Sequence, residues 1–122
     1  MSLPTVLLAL SDPRTNRVMS TGLERFGYDN LTATDQGNAL TILATKCRID
    51  VMVVDADVPE GLALSHGVKR AHPNVAIVYS SKAPQKIAAH AIVTGSPMLR
   101  SPFPPQLLAG VVAALGRRAP LD

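Results

Sequence analysis

The amino-acid sequence predicts an α/β domain in which a five-stranded parallel sheet is covered by helices on both faces. Three observations predict it. The length of 122 residues suits one domain, hydrophobic residues make up 47% of the chain, and short apolar runs alternate with segments of helical periodicity. Strict alternation of strands and helices favours parallel strands joined by helical crossovers. We expect residues 1–122 to form one domain, with residues 119–122 as a frayed tail or the start of a linker.

Three strands and two helices are predicted before residue 56. The strands are Thr5–Leu10, Leu31–Thr34 and Asp50–Asp55. The first helix begins after the N-cap Asp12, which is followed by a proline, and it ends at Gly27. The inward positions predicted for the two helices are Val18, Met19, Gly22, Leu23 and Phe26, then Ala39, Leu40, Leu43, Ala44 and Cys47.

The second half of the chain continues the alternation. A helix is predicted over Gly61–Ala71, a strand over Val75–Tyr79 and a short helix over Pro84–Ala91. Two segments, Ala91–Thr94 and Pro97–Leu99, compete for the fifth strand. We prefer the second segment, because the residues after it then form a turn into the last helix. The apolar stripe of that helix is Leu107, Leu108, Val111, Val112 and Leu115.

Composition disfavours several classes of protein. The formal charge is only +3, and apart from Arg100, Arg117 and Arg118 the cations are interpreted as scattered. The chain has two Phe, two Tyr and no Trp, too few for a base-stacking surface, so we expect no nucleic-acid binding by this domain alone. Cys47 is the single cysteine, and we interpret it as a core residue. A chain with one cysteine suits a reducing cytoplasm. No signal peptide or membrane span is visible, so we expect a cytoplasmic protein without membrane contact.

Polar side chains follow the predicted strands, where functional groups collect in open parallel sheets. In strand order they are Ser11 and Asp12, then Asp55 and Asp57, then Ser80, Ser81 and Lys82, and finally Arg100 and Ser101. An acid beside hydroxyl groups and a cation predicts phosphate chemistry, with the carboxylate as nucleophile and the others as donors. The three histidines do not lie at metal-ligand spacing and are expected to face solvent.

Four segments together resemble the receiver domain of bacterial response regulators over essentially the whole chain. They are Asp50–Asp55 with Pro59 and Gly61, Thr32–Leu40, Ile77–Ser81, and Leu99–Phe103 with Leu107 and Leu108. The resemblance implies a flavodoxin-like, doubly wound sheet of strand order 2-1-3-4-5. It also implies a signalling module of a two-component phosphorelay system rather than an enzyme.

The resemblance also implies roles for single residues. Asp55 would accept a phosphoryl group from a partner histidine kinase, and Ser80 would be the switch hydroxyl. Arg100 and Ser101 would contact the phosphate, and Asp12 and Asp55 would be the ligands of Mg²⁺. The implied partners are a histidine kinase or another signalling protein. A homodimer is implied through the face of the fourth helix, the fifth strand and the last helix.

Departures from the family pattern predict a degenerate receiver, or pseudo-receiver. The acidic pair of the family falls on Leu10 and Ser11, and the lysine before Pro-Phe is Ser101. One well-placed carboxylate, Asp55, predicts weak Mg²⁺ binding. We therefore expect weak or no phosphorylation and action by protein contact. The alternative is a small flavodoxin-like ligand- or nucleotide-binding domain, although the loop Ser11–Asn16 lacks the glycines of a phosphate-binding loop.

Overall fold

The computed structural model describes residues 3–45 and 48–118, without the side chains of residues 116–118. The predictions for Cys47 and for residues 119–122 lie outside the described residues. The strands are β1 (Val6–Ala9), β2 (Asn30–Thr32), β3 (Val51–Asp55), β4 (Ala76–Ser81) and β5 (Met98–Arg100). The α-helices are α1 (Pro13–Arg25), α2 (Gln36–Thr45), α3 (Pro59–Ala71) and α4 (Pro105–Arg118).

The five strands form one sheet of order β2-β1-β3-β4-β5, and every neighbouring pair is parallel. This is the sheet that the sequence predicts. The register places Asp55 of β3 beside Ser80 of β4, and Ser81 of β4 beside Arg100 of β5. The carboxyl ends of β3, β4 and β5 therefore meet at one edge of the sheet.

The core has two layers, one on each face of the sheet. Successive side chains of a strand point to opposite faces, so Val53 and Val78 join Leu23 and Leu108 in the layer beneath α1 and α4. In the second layer, which lies beneath α2 and α3, the largest member is Tyr79. The side chains of β1 and β3 at the centre of the sheet are almost fully buried, as the continuous apolar runs predict.

The first helix follows its sequence signals at both ends. Asp12 caps its first turn and a proline occupies the first helical position. After the helix, Gly27 adopts φ 86°, a conformation that glycine tolerates best. The predicted inward face is wrong at two positions, since Val18 and Phe26 are 54% and 48% exposed. The reason is the neighbouring helix: Gly22 lies against Pro105 of α4, which turns Val18 and Phe26 towards solvent.

The prediction of a short helix over Pro84–Ala91 is wrong. The segment instead contains two single 3-10 turns, Pro84–Lys86 and Ala89–Ala91. The physical reason lies in the spacing of two apolar anchors, because Ile87 within the segment and Ile92 directly after it both pack on the second core layer. Five residues correspond to about 140° around an α-helix, so one regular helix would not direct both side chains inward. The preference between the two segments for the fifth strand is confirmed, because β5 overlaps the second one, Pro97–Leu99, and extends one residue beyond it.

Candidate functional site

Asp55 is the last residue of β3 and lines a cleft at the carboxyl edge of the sheet. The cleft has a volume of about 400 Å³. Its lining includes the apolar residues Leu10 and Leu64 and the acidic residues Asp35, Asp55 and Glu60. We call this feature the Asp55 cleft. Three acids and an apolar floor give it a negative character.

A backbone donor already occupies one oxygen of the Asp55 carboxylate. Ser11 lies in the loop between β1 and α1, and its N–H donates to Oδ2 of Asp55 at 2.6 Å. A short hydrogen bond to a charged acceptor is among the stronger kinds. Behind the carboxylate the packing is tight, because a Cβ added at Gly61 would collide with the backbone carbonyl oxygen of Asp55. Asp55 is thus restrained from the side of α3 and from the side of β1.

Asn16 fixes the loop that follows β1, and the sequence reasoning missed it. Its side chain is 3% exposed. The amide nitrogen Nδ2 donates to the carbonyl of Leu10, and the amide oxygen Oδ1 accepts from the N–H of the same residue. This two-way clamp places Leu10 in the core and presents the Ser11 N–H to Asp55. The available sequence signal was helical spacing, because Asn16 lies three residues before Met19 on the predicted inward face of the first helix.

Asp12, predicted as a metal ligand, is used as a helix cap. Its Oδ2 accepts from the Thr15 hydroxyl, and its Oδ1 accepts from the Arg14 N–H. These two bonds hold the pKa of Asp12 below its ordinary value. Both oxygens therefore serve α1, which is the competing role that an N-cap Asp predicts.

The residues present do not fit a magnesium site. Mg²⁺ binds through carboxylates, waters and phosphate oxygens in octahedral geometry. Within residues 3–45 and 48–118, no group of three or more acidic, His or Cys side chains is arranged to hold a metal ion. Asp12 is engaged in its cap, and an apolar and a hydroxyl residue, Leu10 and Ser11, stand where the family's acidic pair falls.

The predicted phosphate-contacting residues separate into two groups. Ser80 lies beside Asp55 in the register and is 3% exposed, and its hydroxyl makes no hydrogen bond with another described residue. The hydrogen bonding between β4 and β5 continues to Ser101, whose N–H donates to the carbonyl of Ser81.

Arg100 belongs to the second group and points away from the Asp55 side of the sheet. Strand alternation directs its side chain to the face opposite that of Leu99, and its Nη2 donates to Gln85 Oε1 at 3.2 Å. The geometry brings Ser80 to Asp55 and does not bring Arg100 there.

Asp57, which the sequence analysis places after the third strand, forms a second network of hydrogen bonds. Its Oδ1 accepts from the Ser81 hydroxyl at 2.6 Å and its Oδ2 from the Lys82 N–H at 2.8 Å. The Ser81 oxygen in turn accepts from the Ala83 N–H. The hydrogen bond from Ser81, followed by that from Lys82, lowers the pKa of Asp57. Asp57 thereby ties the loop after β3 to the loop after β4.

Comparison with solved structures identifies the architecture. A response regulator receiver domain from Francisella is 28% identical, with 94% of this chain and 98% of that chain covered at a TM-score of 0.79. A response regulator receiver domain protein from Clostridium thermocellum is 24% identical, with 95% and 96% covered at a TM-score of 0.80. The chain has the fold of a response regulator receiver domain. No family model and no curated protein matched the sequence.

The receiver fold confirms the predicted flavodoxin-like class and supports a two-component signalling module. A response regulator from Thermotoga maritima with the same fold, 17% identical at a TM-score of 0.75, was solved in complex with Mg²⁺-BeF. The receiver domains among the structural neighbours are signalling domains rather than typical enzymes. Among the described helices, none has both the length and the apolar character needed to cross a membrane.

Proposed function

We propose that this chain is a receiver-type signalling module with a phosphoacceptor position at Asp55 but an incomplete site around it. It accepts phosphate weakly or not at all and acts by contact with other proteins in the cytoplasm. The supporting observation is the environment of Asp55. The Ser11 N–H donates to its carboxylate, and both carboxylate oxygens of Asp12 are engaged in capping α1.

The charge balance of the site explains why phosphoryl transfer would be slow. Transfer needs cations or donors that neutralise the equatorial oxygens of the phosphoryl group. The Asp55 cleft instead carries Asp35 and Glu60, Ser101 replaces the lysine of the family, and Arg100 bonds to Gln85. Removing one positioned electrostatic partner typically slows a reaction by about a hundredfold or more. The donor left beside Asp55 is the hydroxyl of Ser80, because the Ser11 N–H already donates to the Asp55 carboxylate.

Labelling with acetyl phosphate tests the proposal. The Asp55 carboxylate would attack phosphorus, and acetate would leave, so intact mass reports each acyl phosphate formed. We expect the wild-type chain with Mg²⁺ to label at least about a hundredfold more slowly than the Thermotoga maritima response regulator as a positive control. Labelling at a comparable rate, absent in Asp55→Asn, would contradict the proposed degeneracy.

A variant that restores the missing charges tests the same proposal by asking whether labelling becomes faster. Ser11→Asp combined with Ser101→Lys returns one acid and the lysine to the site, and we expect faster labelling that still depends on Asp55. Ser101→Ala, which adds no charge, is the matched control and should label as slowly as the wild type. Repair without any gain, in a variant that melts like the wild type, would show that the missing charges are not the cause.

The ligand-binding alternative receives less support from the cleft. A nucleotide or flavin would bring phosphate groups to a pocket whose charged lining is Asp35, Asp55 and Glu60. Like charges at short range are unfavourable. The loop after β1 also supplies its Ser11 N–H to Asp55, so that donor is not available for a phosphate. Receiver-type signalling is therefore the function that the geometry supports best.

A further inference from the structure

Acidic and basic residues occupy different halves of this chain. Eight of the nine Asp and Glu residues precede residue 61, and the ninth is Asp122, so residues 61–121 contain no acid. The cations of that stretch are Lys69, Arg70, Lys82, Lys86, Arg100, Arg117 and Arg118. The interpretation of the cations as scattered overlooked this division, which is a recognised sign of a charged binding partner.

The fold converts the division along the chain into a division in space. With strand order β2-β1-β3-β4-β5, the acid-free stretch builds β4, β5 and the segment between them at one end of the sheet. The carboxylates of the Asp55 cleft line the carboxyl edge of the other three strands. The β4–β5 end of the molecule is therefore positive, and the cleft side is negative.

Three cations form a continuous basic edge at that end, defined as Lys82, Lys86 and Arg100. All three side chains are exposed. Ser81, the residue before Lys82, pairs with Arg100 across the two strands, so Lys82 and Arg100 lie near each other. Arg100 also donates to Gln85, the residue before Lys86, which places Lys86 near Arg100. Among the described residues the one salt bridge is Arg48–Asp50, so the basic edge makes no salt bridge there, although the charge of Lys82 contributes to lowering the pKa of Asp57. The nearby Asp57 already accepts from Ser81 and from the Lys82 N–H.

We infer that the basic edge is a docking surface for an acidic polypeptide segment of a partner protein. The inference rests on the proposed function, because it names the partner chemistry of a module that acts by contact. Exposed Lys and Arg side chains that make no intramolecular salt bridge gain most from an acidic partner. The partly buried Ile87, Ile92 and Met98 of the same end supply apolar contact area beside the charges.

Charge also disfavours the two other occupants of this face. In a symmetric dimer the same patch meets itself, so the predicted homodimer through this face would place cation against cation with no acid of residues 61–118 to compensate. Nucleic acid needs more phosphate contacts than three cations supply. It also gains from aromatic side chains on which bases stack, whereas Tyr79 and Phe103 are both buried.

Fluorescence anisotropy with a labelled oligoglutamate peptide tests the inference on the full chain. We expect binding at low ionic strength that weakens steeply with added salt, because exposed charges are screened beyond about 10 Å at 0.1 M. The triple variant Lys82→Glu, Lys86→Glu and Arg100→Glu should weaken binding at least about tenfold. The matched control is Arg14→Glu, Arg17→Glu and Arg25→Glu, which makes the same change in net charge on α1 and should stay within about twofold of wild type.

Three outcomes would overturn the inference. Equal weakening by both triple variants would show that net charge alone attracts the peptide. Tighter binding to a duplex DNA than to the peptide, lost in the basic-edge variant, would assign the edge to nucleic acid. A dimer in sedimentation that the basic-edge variant abolishes would assign it to a second copy. None of these readouts involves acetyl phosphate, so they fail or succeed independently of the labelling of Asp55.

Discussion

Asp55 owes its position to contacts with two small neighbours, Ser11 and Gly61. The first supplies a backbone donor to the carboxylate. The second lets the first turn of α3 approach the backbone carbonyl of Asp55 so closely that a Cβ has no room. The loop between β3 and α3 can therefore keep its shape only while position 61 lacks a side chain.

Gly61→Ala should destabilise the fold by roughly 1–3 kcal/mol, the usual cost of forcing extra atoms into a packed site. Alanine would otherwise favour a helix by about 1 kcal/mol over glycine, so the collision must exceed that gain. Gly67→Ala, in the same helix, is the matched control, because nothing lies within 4 Å of the added Cβ. Urea unfolding measures both variants. An Ala at position 61 that stabilises as well as one at position 67 would contradict the close approach.

Asp57 gives the molecule a defined acid sensitivity. Its hydrogen bonds from Ser81 and Lys82 lower its pKa from the ordinary 3.8. Because the folded pKa lies below the unfolded one, the stabilisation is fully present above the ordinary value and is lost as pH falls through the folded pKa. Asp57→Asn should therefore be less stable than wild type at neutral pH, and the difference should shrink on acidification below 3.8.

Urea unfolding at neutral pH and at several pH values below 3.8 checks this dependence. Ser81→Ala, which removes the largest cause of the shift, should reduce the same pH dependence. A stability difference between Asp57→Asn and wild type that is constant across these pH values would show that the side chain acts by shape rather than by charge.

The segment between β4 and β5 is held by a directional chain of hydrogen bonds rather than by helix formation. The Val93 N–H donates to the Tyr79 hydroxyl, and Ser65 Oγ donates to the Leu62 carbonyl. The 2.6 Å bond between the two hydroxyls must then run from Tyr79 to Ser65, since the Ser65 hydrogen is already used. A phenol that is fully buried in the second core layer thus fixes the segment that replaces a fourth helix.

Tyr79→Phe should destabilise the protein by about 1–3 kcal/mol, because it leaves the buried N–H of Val93 without its acceptor. Amide hydrogen exchange at Val93 should accelerate more than exchange in β1. Tyr28→Phe is the matched control, since the Tyr28 hydroxyl makes no hydrogen bond with another described residue. Equal effects of the two substitutions would show that the hydrogen-bond chain does not hold the segment.

Sequence patterns predicted what depends on local periodicity and missed what depends on contacts between elements. The strands and the positions of Asp55 and Ser80 follow from apolar runs and their polar ends, and the strand order follows from the resemblance to receiver domains. The irregular segment after β4 depends on Tyr79, which lies in another element, and the burial of Asn16 depends on the backbone of Leu10. Likewise, only the fold reveals that Asp57 accepts a hydrogen bond from the Ser81 hydroxyl and that Arg100 donates one to Gln85.

The sheet couples the two core layers, because its central strands contribute side chains to both. The Asp55 cleft lies at the carboxyl ends of β1, β2 and β3, and the basic edge lies at the carboxyl ends of β4 and β5, so both are attached to this shared sheet. Loss of packing in one layer should therefore unfold the whole domain rather than one face. The chain offers a direct probe of this coupling, since it has two tyrosines and no tryptophan.

Tyr28 belongs to the layer beneath α1 and α4, and Tyr79 belongs to the other. In a Tyr28→Phe background, tyrosine fluorescence reports Tyr79 alone. Leu23→Ala opens a cavity in the first layer, where the side chain is fully buried, and should cost about 2–5 kcal/mol. We expect the urea midpoint of Tyr79 fluorescence to fall together with the midpoint of circular dichroism, as all-or-none unfolding requires. A Tyr79 transition that stays at its original midpoint would show that the layers unfold separately, and that the sheet does not transmit stability from α1 and α4 to the side of α3.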